Sequence, residues 1–285
     1  MRAVRVEEVD AFISRVGPFL AAHEAEHNLA LGLLGRLRAD RRLYGFDPTF
    51  VVVEDDAGHV IGCLLRTPPH GNVLSRFDDL AGVDVVAMEV LDMHPELPGV
   101  VGPAEVASRF AETWLQATGS RSRLAVRQRV HACAAVNDVP RAAGRLREAR
   151  PDDLATLLTW LRAFADEALG EAPHVEDVEH TYRRREADPD GAWLVWDDDG
   201  LVSLAGFGNP TPTGTRVGPV YTPPEHRGHG YATSLVAGLT AERLASGLAF
   251  CFLFTNLANP TSNAIYARIG YASVADWDQW AFEAL

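Results

Sequence analysis

The stretch VGPVYTPPEHRGHGYA, residues 217–232, decides the fold of the second half of this 285-residue chain. It predicts a strand, a break at two prolines, a glycine loop and then an amphipathic helix. Such a loop leaves backbone N–H groups without partners at a helix N-terminus, where the helix dipole favours an anion. Gly228 and Gly230 allow close approach of a ligand, and Arg227 adds a charge that suits phosphate oxygens. An ordinary strand-to-helix turn is the alternative, because short glycine patterns also occur by chance.

A second block, TNLANPTSNAIYARIGY at residues 255–271, combines an Asn-rich turn with a short helix that carries Tyr266. Asn259 is predicted to cap this helix, because Pro260 fits its first position. The pattern Arg227-x-x-Gly230-x-Ala232 and this second block resemble, in order and spacing, the two signatures of the GCN5-related N-acetyltransferase (GNAT) family. The resemblance covers roughly residues 145–285 and is much weaker before them.

The second half is predicted to follow the order β-α-α-β-β-β-α-β-α-β, which is the order of the family that it resembles. The resemblance implies that two adjacent parallel strands, ending near Tyr221 and Thr255, splay apart to receive an acyl-pantetheine arm. The predicted elements are a strand at 144–149, helices at about 151–164 and 174–187, strands at 193–196 and 201–207, a strand ending at Tyr221, a helix from Ala232, a strand at 249–254, a helix at 260–269 and a strand through Trp280 and Phe282.

The first half is a fainter copy of the same pattern. Its predicted elements are a hairpin at 50–65, a strand near 84–90, a strand within 97–103, a helix at 104–117 and a strand at 124–135, followed by a linker at 137–143. Its counterpart of the glycine loop is expected at Gly99 to Gly102, where no arginine is present and Pro103 removes a donor. The expected fold class is α/β (an α+β mixed sheet) with two tandem acyl-CoA N-acyltransferase-like domains, a degenerate one at 1–139 and a catalytic one at 145–285. An unrelated α/β domain is the alternative for the first half.

The resemblance also assigns roles to individual residues. The backbone N–H of Val220 would stabilise the oxyanion, and Tyr266 would protonate the leaving thiolate, since an ordinary phenol is protonated at neutral pH. A core tyrosine is the alternative for Tyr266. The residues expected to hold acetyl-CoA are Val220, Tyr221, Thr222, Arg227, Gly228, His229, Gly230, Tyr231, Ala232, Asn259 and Asn263.

The general base stays open, because the strand before the glycine loop contains no carboxylate. Glu167, Glu171, His174 and water are the candidates. Trp193 and Trp196 have two interpretations, as aromatic walls of an acceptor site or as a packed core. The run of arginines at 183–185 is expected to be a solvated helix face.

Composition excludes several other classes of protein. A net charge of −13 without a basic tract makes nucleic acid a poor partner. Three widely spaced cysteines argue against disulfides and zinc ribbons, and Cys251 is expected to be a buried strand residue. His226 and His229 lack a third ligand, so no metal is expected, and no Gly-Lys-Ser/Thr marks a nucleotide-binding P-loop. No apolar run approaches the ~20 residues that span a membrane, and we expect a cytoplasmic location.

The sequence therefore predicts an acetyl-CoA-dependent N-acetyltransferase, and the resemblance to the GNAT family implies direct attack in a ternary complex. The acceptor would be an amine of a small molecule or peptide, with a homodimer left open and the first domain shaping the acceptor site or an interface. A non-catalytic acyl-CoA-binding module is the first alternative. A purely structural α/β protein that binds no CoA is the second.

Overall fold

The structure is a computed structural model that describes residues 1–169 and 175–283, and its contacts divide the chain into two units. The first unit contains residues 1–130 together with the C-terminal segment from Val274. The second unit is His131–Ser273. Both halves of the sequence follow the order β-α-α-β-β-β-α-β-α-β, as predicted for the second half.

The first unit is built on a mixed sheet. Its elements are β1 (Arg2–Val6), α1 (Val9–Ala21), α2 (Asn28–Ala39), β2 (Thr49–Glu54), β3 (Val60–Arg66), β4 (Asn72–Leu74), α3 (Ala81–Met93), β5 (Gly99–Pro103), α4 (Ala104–Thr118), most of β6 (Arg121–Cys133) and most of β12 (Ala272–Glu283). The strand order is β1-β2-β3-β4-β5-β12-β6. Strands β4 and β5 are parallel, and β12 is antiparallel to β5, with Trp280 opposite Val100.

The elements of the second unit are β7 (Arg145–Glu148), α5 (Leu154–Leu169), α6 (Val175–Glu186), β8 (Ala192–Asp197), β9 (Leu201–Gly208), β10 (Gly214–Tyr221), α7 (Tyr231–Ala245), β11 (Phe250–Asn256) and α8 (Pro260–Ile269). These bounds confirm the predicted elements of the second half. The strand order of the second unit is β11-β10-β9-β8-β7, where β10 and β11 are parallel and the other pairs are antiparallel.

Two apolar clusters cover the faces of this second sheet. Helices α7 and α8 pack on one face through residues such as Leu235, Leu239 and Ile269. Helices α5 and α6 contribute to the other cluster, where Leu157 and Tyr182 lie. Both helical clusters arise from apolar residues that recur every three or four positions, which is the spacing of one helix face.

One element of the first half was predicted wrongly. The segment expected to be a strand near 84–90 belongs to the helix α3. The fully or almost fully buried residues Val83, Val86, Ala87 and Val90 follow the helical spacing of three, four and seven positions. The β-branched valines suggested a strand, but their periodicity is that of a helix.

The C-terminal strand does not stay with the half of the sequence that it follows. Residues from Val274 pack in the first unit, where Trp277 is fully buried and Phe282 joins the core. The predicted linker at 137–143 belongs to the second unit, because the N–H of Ala142 donates to Ser234 Oγ on α7 at 2.8 Å. The units defined by contacts therefore differ at their ends from the predicted division into 1–139 and 145–285. No helix among the described residues is long and apolar enough to cross a membrane.

Candidate active site

The parallel strands β10 and β11 part before they end. Their register runs from Gly214 opposite Phe250 to Arg216 opposite Phe252 and extends no further in the described residues. Val217 to Tyr221 continue β10 on the side of β9 only, with Val220 opposite Ala205. The predicted splay is therefore present, and its open edge includes the backbone of Val220. Ligands in α/β sheets bind at such openings at the carboxyl ends of strands.

A bulge in β10 lies directly before Val220. Gly218 and Pro219 interrupt the register with β9 between Val217 and Val220. The carbonyl of Gly218 accepts a hydrogen bond from Arg185 Nη1 at 2.6 Å. Arg185 also stacks over the Trp193 ring at 4.4 Å. The prediction that residues 183–185 form a solvated helix face is therefore wrong for Arg185. The guanidinium of Arg185 on α6 therefore stabilises the backbone of the bulge through its hydrogen bond to Gly218.

The glycine loop between β10 and α7 presents bare backbone donors. Gly228 and Gly230 both have φ of +81°, a conformation that favours glycine. Among the described residues, the N–H groups of Gly228, His229 and Gly230 have no acceptor. The N-cap of α7 is Gly230, whose missing side chain leaves the helix N-terminus without a cap. An anion is the natural partner of this arrangement.

The side chain of Arg227 forms an ion pair with Glu167. Its Nη2 lies 2.7 and 3.0 Å from the two carboxylate oxygens of Glu167, and its Nε donates to the carbonyl of Thr222 at 2.9 Å. The hydroxyl of Tyr221 donates to the same carboxylate at 3.0 Å. Burial, followed by this bond to Glu167, raises the pKa of Tyr221. Glu167 thus connects α5 to both the strand end and the loop.

The aromatic residues of the loop fix the start of α7. The hydroxyl of Tyr231 donates to Asp198 in the β8–β9 turn at 2.6 Å, and its ring stacks on His229 at 5.6 Å. His226 contacts the same ring edge-on. Among the described residues, no three His, Cys, Asp or Glu side chains are placed to hold a metal ion.

A small cavity of about 170 Å³ adjoins the loop at His229 and Gly230. Arg141, from the segment predicted as a linker, and Arg268, near the end of α8, both line it. Sequence analysis missed these two arginines. Arg141 lies too far from the glycine loop in sequence to be connected with it, and no local pattern marks Arg268, which lies near the end of the helix that carries Tyr266.

The Asn-rich turn is held by its own side chains. Asn259 Oδ1 accepts from the N–H of Ser262 at 3.0 Å, which confirms the predicted cap of α8. Asn263 Nδ2 donates to the carbonyls of Asn259 and Asn256 at 2.8 and 3.3 Å, and its Oδ1 accepts from Thr255 Oγ1. Both asparagines therefore have a structural role, and their contact with a CoA arm stays a prediction.

Tyr266 lies one turn after Asn263 on the same side of α8. Its side chain is only 9 % exposed and packs in the cluster with Leu253 and Tyr271, edge-on to the Tyr271 ring at 5.8 Å. Its hydroxyl bonds to none of the described residues. Burial raises the pKa of the Tyr266 phenol, so it is protonated at neutral pH.

The other candidate site residues from the sequence are either buried in the core, at the site, or outside the described residues. Trp193 and Trp196 are buried, which supports the packed-core interpretation. Cys251 is fully buried and free, as expected for a strand residue, and burial raises the pKa of its thiol. Of the candidate bases, Glu167 is at the site, while Glu171 and His174 lie outside the described residues.

The first unit fills the equivalent position with its own groups. Element order places the counterpart of the glycine loop at residues 75–80, between β4 and α3, and not at Gly99–Gly102, which lie in β5. This counterpart contains no glycine. Asp79 Oδ1 accepts from the N–H of Ala81 at the start of α3, and His27 Nε2 accepts from the N–H of Arg76 at 3.1 Å. A carboxylate therefore stands where the second unit has bare N–H groups, as expected of a degenerate domain.

Comparison with known proteins agrees with this geometry. Residues 155–271 match the family model described as the acetyltransferase (GNAT) family. No curated protein matches the chain in sequence.

Several solved structures have the same fold over almost the whole chain. An acetyltransferase from the GNAT family of Colwellia psychrerythraea is 13 % identical with a TM-score of 0.58, and the match covers 99 % of this chain and 100 % of that chain. A GCN5-related N-acetyltransferase from Sphaerobacter thermophilus is 17 % identical with a TM-score of 0.60, over 99 % and 96 % of the two chains. A tandem GNAT protein from the clavulanic acid biosynthesis pathway is 16 % identical with a TM-score of 0.53, over 98 % of both chains. The predicted fold class, with two tandem acyltransferase-like domains, is confirmed.

Proposed function

We propose that this protein transfers an acetyl group from acetyl-CoA to a primary amine, because residues 155–271 belong to the acetyltransferase (GNAT) family. The observation that carries the proposal is the glycine loop. Its unbonded N–H groups stand at an uncapped helix N-terminus, beside the point where β10 and β11 part. The acceptor is an amine of a small molecule or peptide.

The second unit binds the phosphates of acetyl-CoA. The N–H groups of Gly228, His229 and Gly230 hold the pyrophosphate, helped by the dipole of the 15-residue helix α7. Arg141 and Arg268 line the adjoining cavity, where their charges suit further phosphate oxygens. The pantetheine arm then follows the opening between the two parallel strands.

The chemistry takes place at the end of β10. When bound, acetyl-CoA supplies a thioester whose acetyl group passes to the neutral amine nitrogen while the C–S bond breaks and one amine proton is transferred, in net terms, to sulfur. The N–H of Val220 donates to the carbonyl oxygen as negative charge develops there. The open edge of β10 and the bulge before Val220 support this role.

Tyr266 stabilises the leaving sulfur. Because burial raises the pKa of its phenol above the usual ~10, the hydroxyl remains a donor throughout the physiological range. A thiol with an ordinary pKa of ~8.5 is a stronger acid than this phenol. Tyr266 therefore acts by hydrogen bonding to sulfur, and it passes a proton on only as it receives one.

A calorimetric titration of the full chain with acetyl-CoA tests the proposal, followed by mass spectrometry of primary amines incubated with both. We expect one acetyl-CoA per chain, because Asp79 and His27 occupy the equivalent donors of the first unit. The amine should then gain one acetyl group. Two sites per chain would contradict a single competent unit, and absence of binding would overturn the function. Binding without turnover of any amine would favour the non-catalytic module.

A further inference from the structure

The carboxylate of Glu167 accepts hydrogen bonds from two different donors, the positive guanidinium of Arg227 and the neutral hydroxyl of Tyr221. Arg227 Nη2 contacts both of its oxygens, at 2.7 and 3.0 Å, and Tyr221 Oη donates to one of them at 3.0 Å. The side chains of Glu167 and Arg227 are each about half exposed, 47 % and 48 %. This pair is therefore reachable by a ligand and is not part of a closed core.

Glu167 lies on the face of the sheet opposite to Tyr266. Its helix α5 covers the sheet face that carries Tyr221, whereas α7 and Tyr266 belong to the opposite face. Tyr221 directly follows Val220, whose backbone is proposed to contact the thioester carbonyl. An amine that attacks this carbonyl from the α5 face would pass beside Glu167.

Arg227 cannot fully neutralise Glu167 and a pyrophosphate at the same time. It has one positive charge, and its Nε is already bonded to the carbonyl of Thr222. A diphosphate on the neighbouring N–H groups is also repelled by an adjacent carboxylate. Binding of CoA would therefore draw Arg227 away from Glu167, and by reciprocity Glu167 would weaken the binding of CoA.

We propose that Glu167 recognises a second ammonium group of a cationic acceptor, distinct from the neutral amine that reacts, and that CoA makes this carboxylate available by taking over Arg227. After the exchange, Glu167 keeps the hydrogen bond from Tyr221, which holds it in place, and regains a net negative charge. An acceptor ammonium then replaces the guanidinium. The net charge of −13 on the chain also favours the approach of a cation. This inference rests on the proposed acetyl transfer.

The test measures CoA affinity and acceptor use separately in full-length variants. Glu167→Gln removes the competing charge and keeps the shape of the side chain. We expect CoA to bind Glu167→Gln about fivefold more tightly by calorimetry, the gain from releasing a half-exposed ion pair. The kcat/KM for 1,4-diaminobutane should fall at least about tenfold, while that for an amine whose second group is a carboxylate should not fall.

Two further variants serve as controls. Glu225→Gln removes a carboxylate two residues before Arg227, and this carboxylate makes no ion pair in the described residues. The affinity for CoA and the kcat/KM for the diamine should therefore stay within about twofold of wild type. Tyr221→Phe leaves the ion pair intact and should not tighten CoA binding. Thermal unfolding of each variant confirms that it is folded.

Each remaining outcome has a definite meaning. Weaker or unchanged CoA binding by a folded Glu167→Gln variant would show that Glu167 does not compete for Arg227, and would overturn the inference alone. Tighter CoA binding with unchanged use of the diamine would overturn the role in acceptor recognition. Failure of the wild-type chain to bind CoA would instead remove the proposed function, and this inference with it.

Discussion

The hydroxyl of Thr255 donates to Oδ1 of Asn263 at 2.6 Å, which ties the end of β11 to the helix that carries Tyr266. Because the Asn263 amide donates to two carbonyls, its oxygen must be the acceptor.

Thr255→Val keeps the shape of the side chain but leaves the Asn263 oxygen without its donor. We expect a loss of about 1–2 kcal/mol in the free energy of unfolding and a several-fold fall in kcat. Thr215→Val, at the start of β10, removes another buried hydroxyl and should leave kcat unchanged. An equal kcat in both variants would contradict the positioning of α8 by Thr255.

The proposed role of Tyr266 predicts a specific kinetic defect. Tyr266→Phe should lower kcat by about 10²-fold or more and leave the Kd of CoA unchanged, because only the hydroxyl that faces sulfur is lost. Tyr271→Phe is the matched control, since it removes the neighbouring buried phenol, which bonds to Thr240 at 2.8 Å. That variant should lose stability but keep kcat in the folded protein. A normal kcat for Tyr266→Phe would assign Tyr266 to the core.

The glycine loop should respond to a single methyl group. Gly228→Ala has open space around the new carbon, but its φ of +81° disfavours a side chain, so the loop should shift and CoA should bind less tightly. We expect a cost of about 1–2 kcal/mol in binding or stability. Gly35→Ala also meets no atoms, yet it lies inside α2 and should stabilise the protein by about 0.5–1 kcal/mol. Equal effects at both positions would show that backbone conformation is not the cause.

Stability should depend on pH through His27. This residue is fully buried, and burial lowers its pKa to about 4 from 6.5, while Nδ1 donates to the carbonyl of Leu20. The unfolded chain binds a proton below about pH 6.5, whereas the folded chain does so only near pH 4. The free energy of unfolding should therefore fall by up to about 3 kcal/mol between pH 7 and pH 4. Urea unfolding of His27→Gln should lack this contribution, and the exposed His59→Gln should retain it. Parallel pH curves for wild type and His27→Gln would argue against a neutral buried histidine.

The C-terminal strand should be essential to the first unit. Phe282 stacks on Trp114 at 5.8 Å and on Phe110 at 6.5 Å. Phe282→Ala is expected to lower the free energy of unfolding by about 3–4 kcal/mol, because it leaves a cavity in this core. Val274→Ala, at an exposed position of the same strand, should cost less than about 0.5 kcal/mol. A small effect at Phe282 would mean that β12 is dispensable.

Local patterns in the sequence were enough to predict the helices and strands of the second half. The acidic-glycine turn before Leu201, the cap at Asn259 and the glycines of the loop each determine conformation within a few residues. Such signals act over a short range, so they predict elements and their order well. A strand was predicted where α3 lies, because the valines of this segment are β-branched and favour strands, whereas their spacing is that of a helix.

Contacts between distant segments could not be read in this way. The pairing of Glu167 with Arg227, the bond from Arg185 to Gly218 and the place of Arg141 beside the loop each join parts that are separate along the chain. No local pattern distinguishes Arg185 from its neighbours in a run of three arginines. Its role depends on the bulge in β10, which only the folded sheet creates.

The position of β12 between β5 and β6 also determines the order in which the chain can be completed during synthesis. Domains usually fold on the ribosome from the N-terminus onward. Here the second unit is contiguous and has all its residues by Ser273, while the first still lacks Trp277 and Phe282. The half that is synthesised first is thus the last to be finished. Until then the unpaired edges of β5 and β6 are open to pairing with other chains.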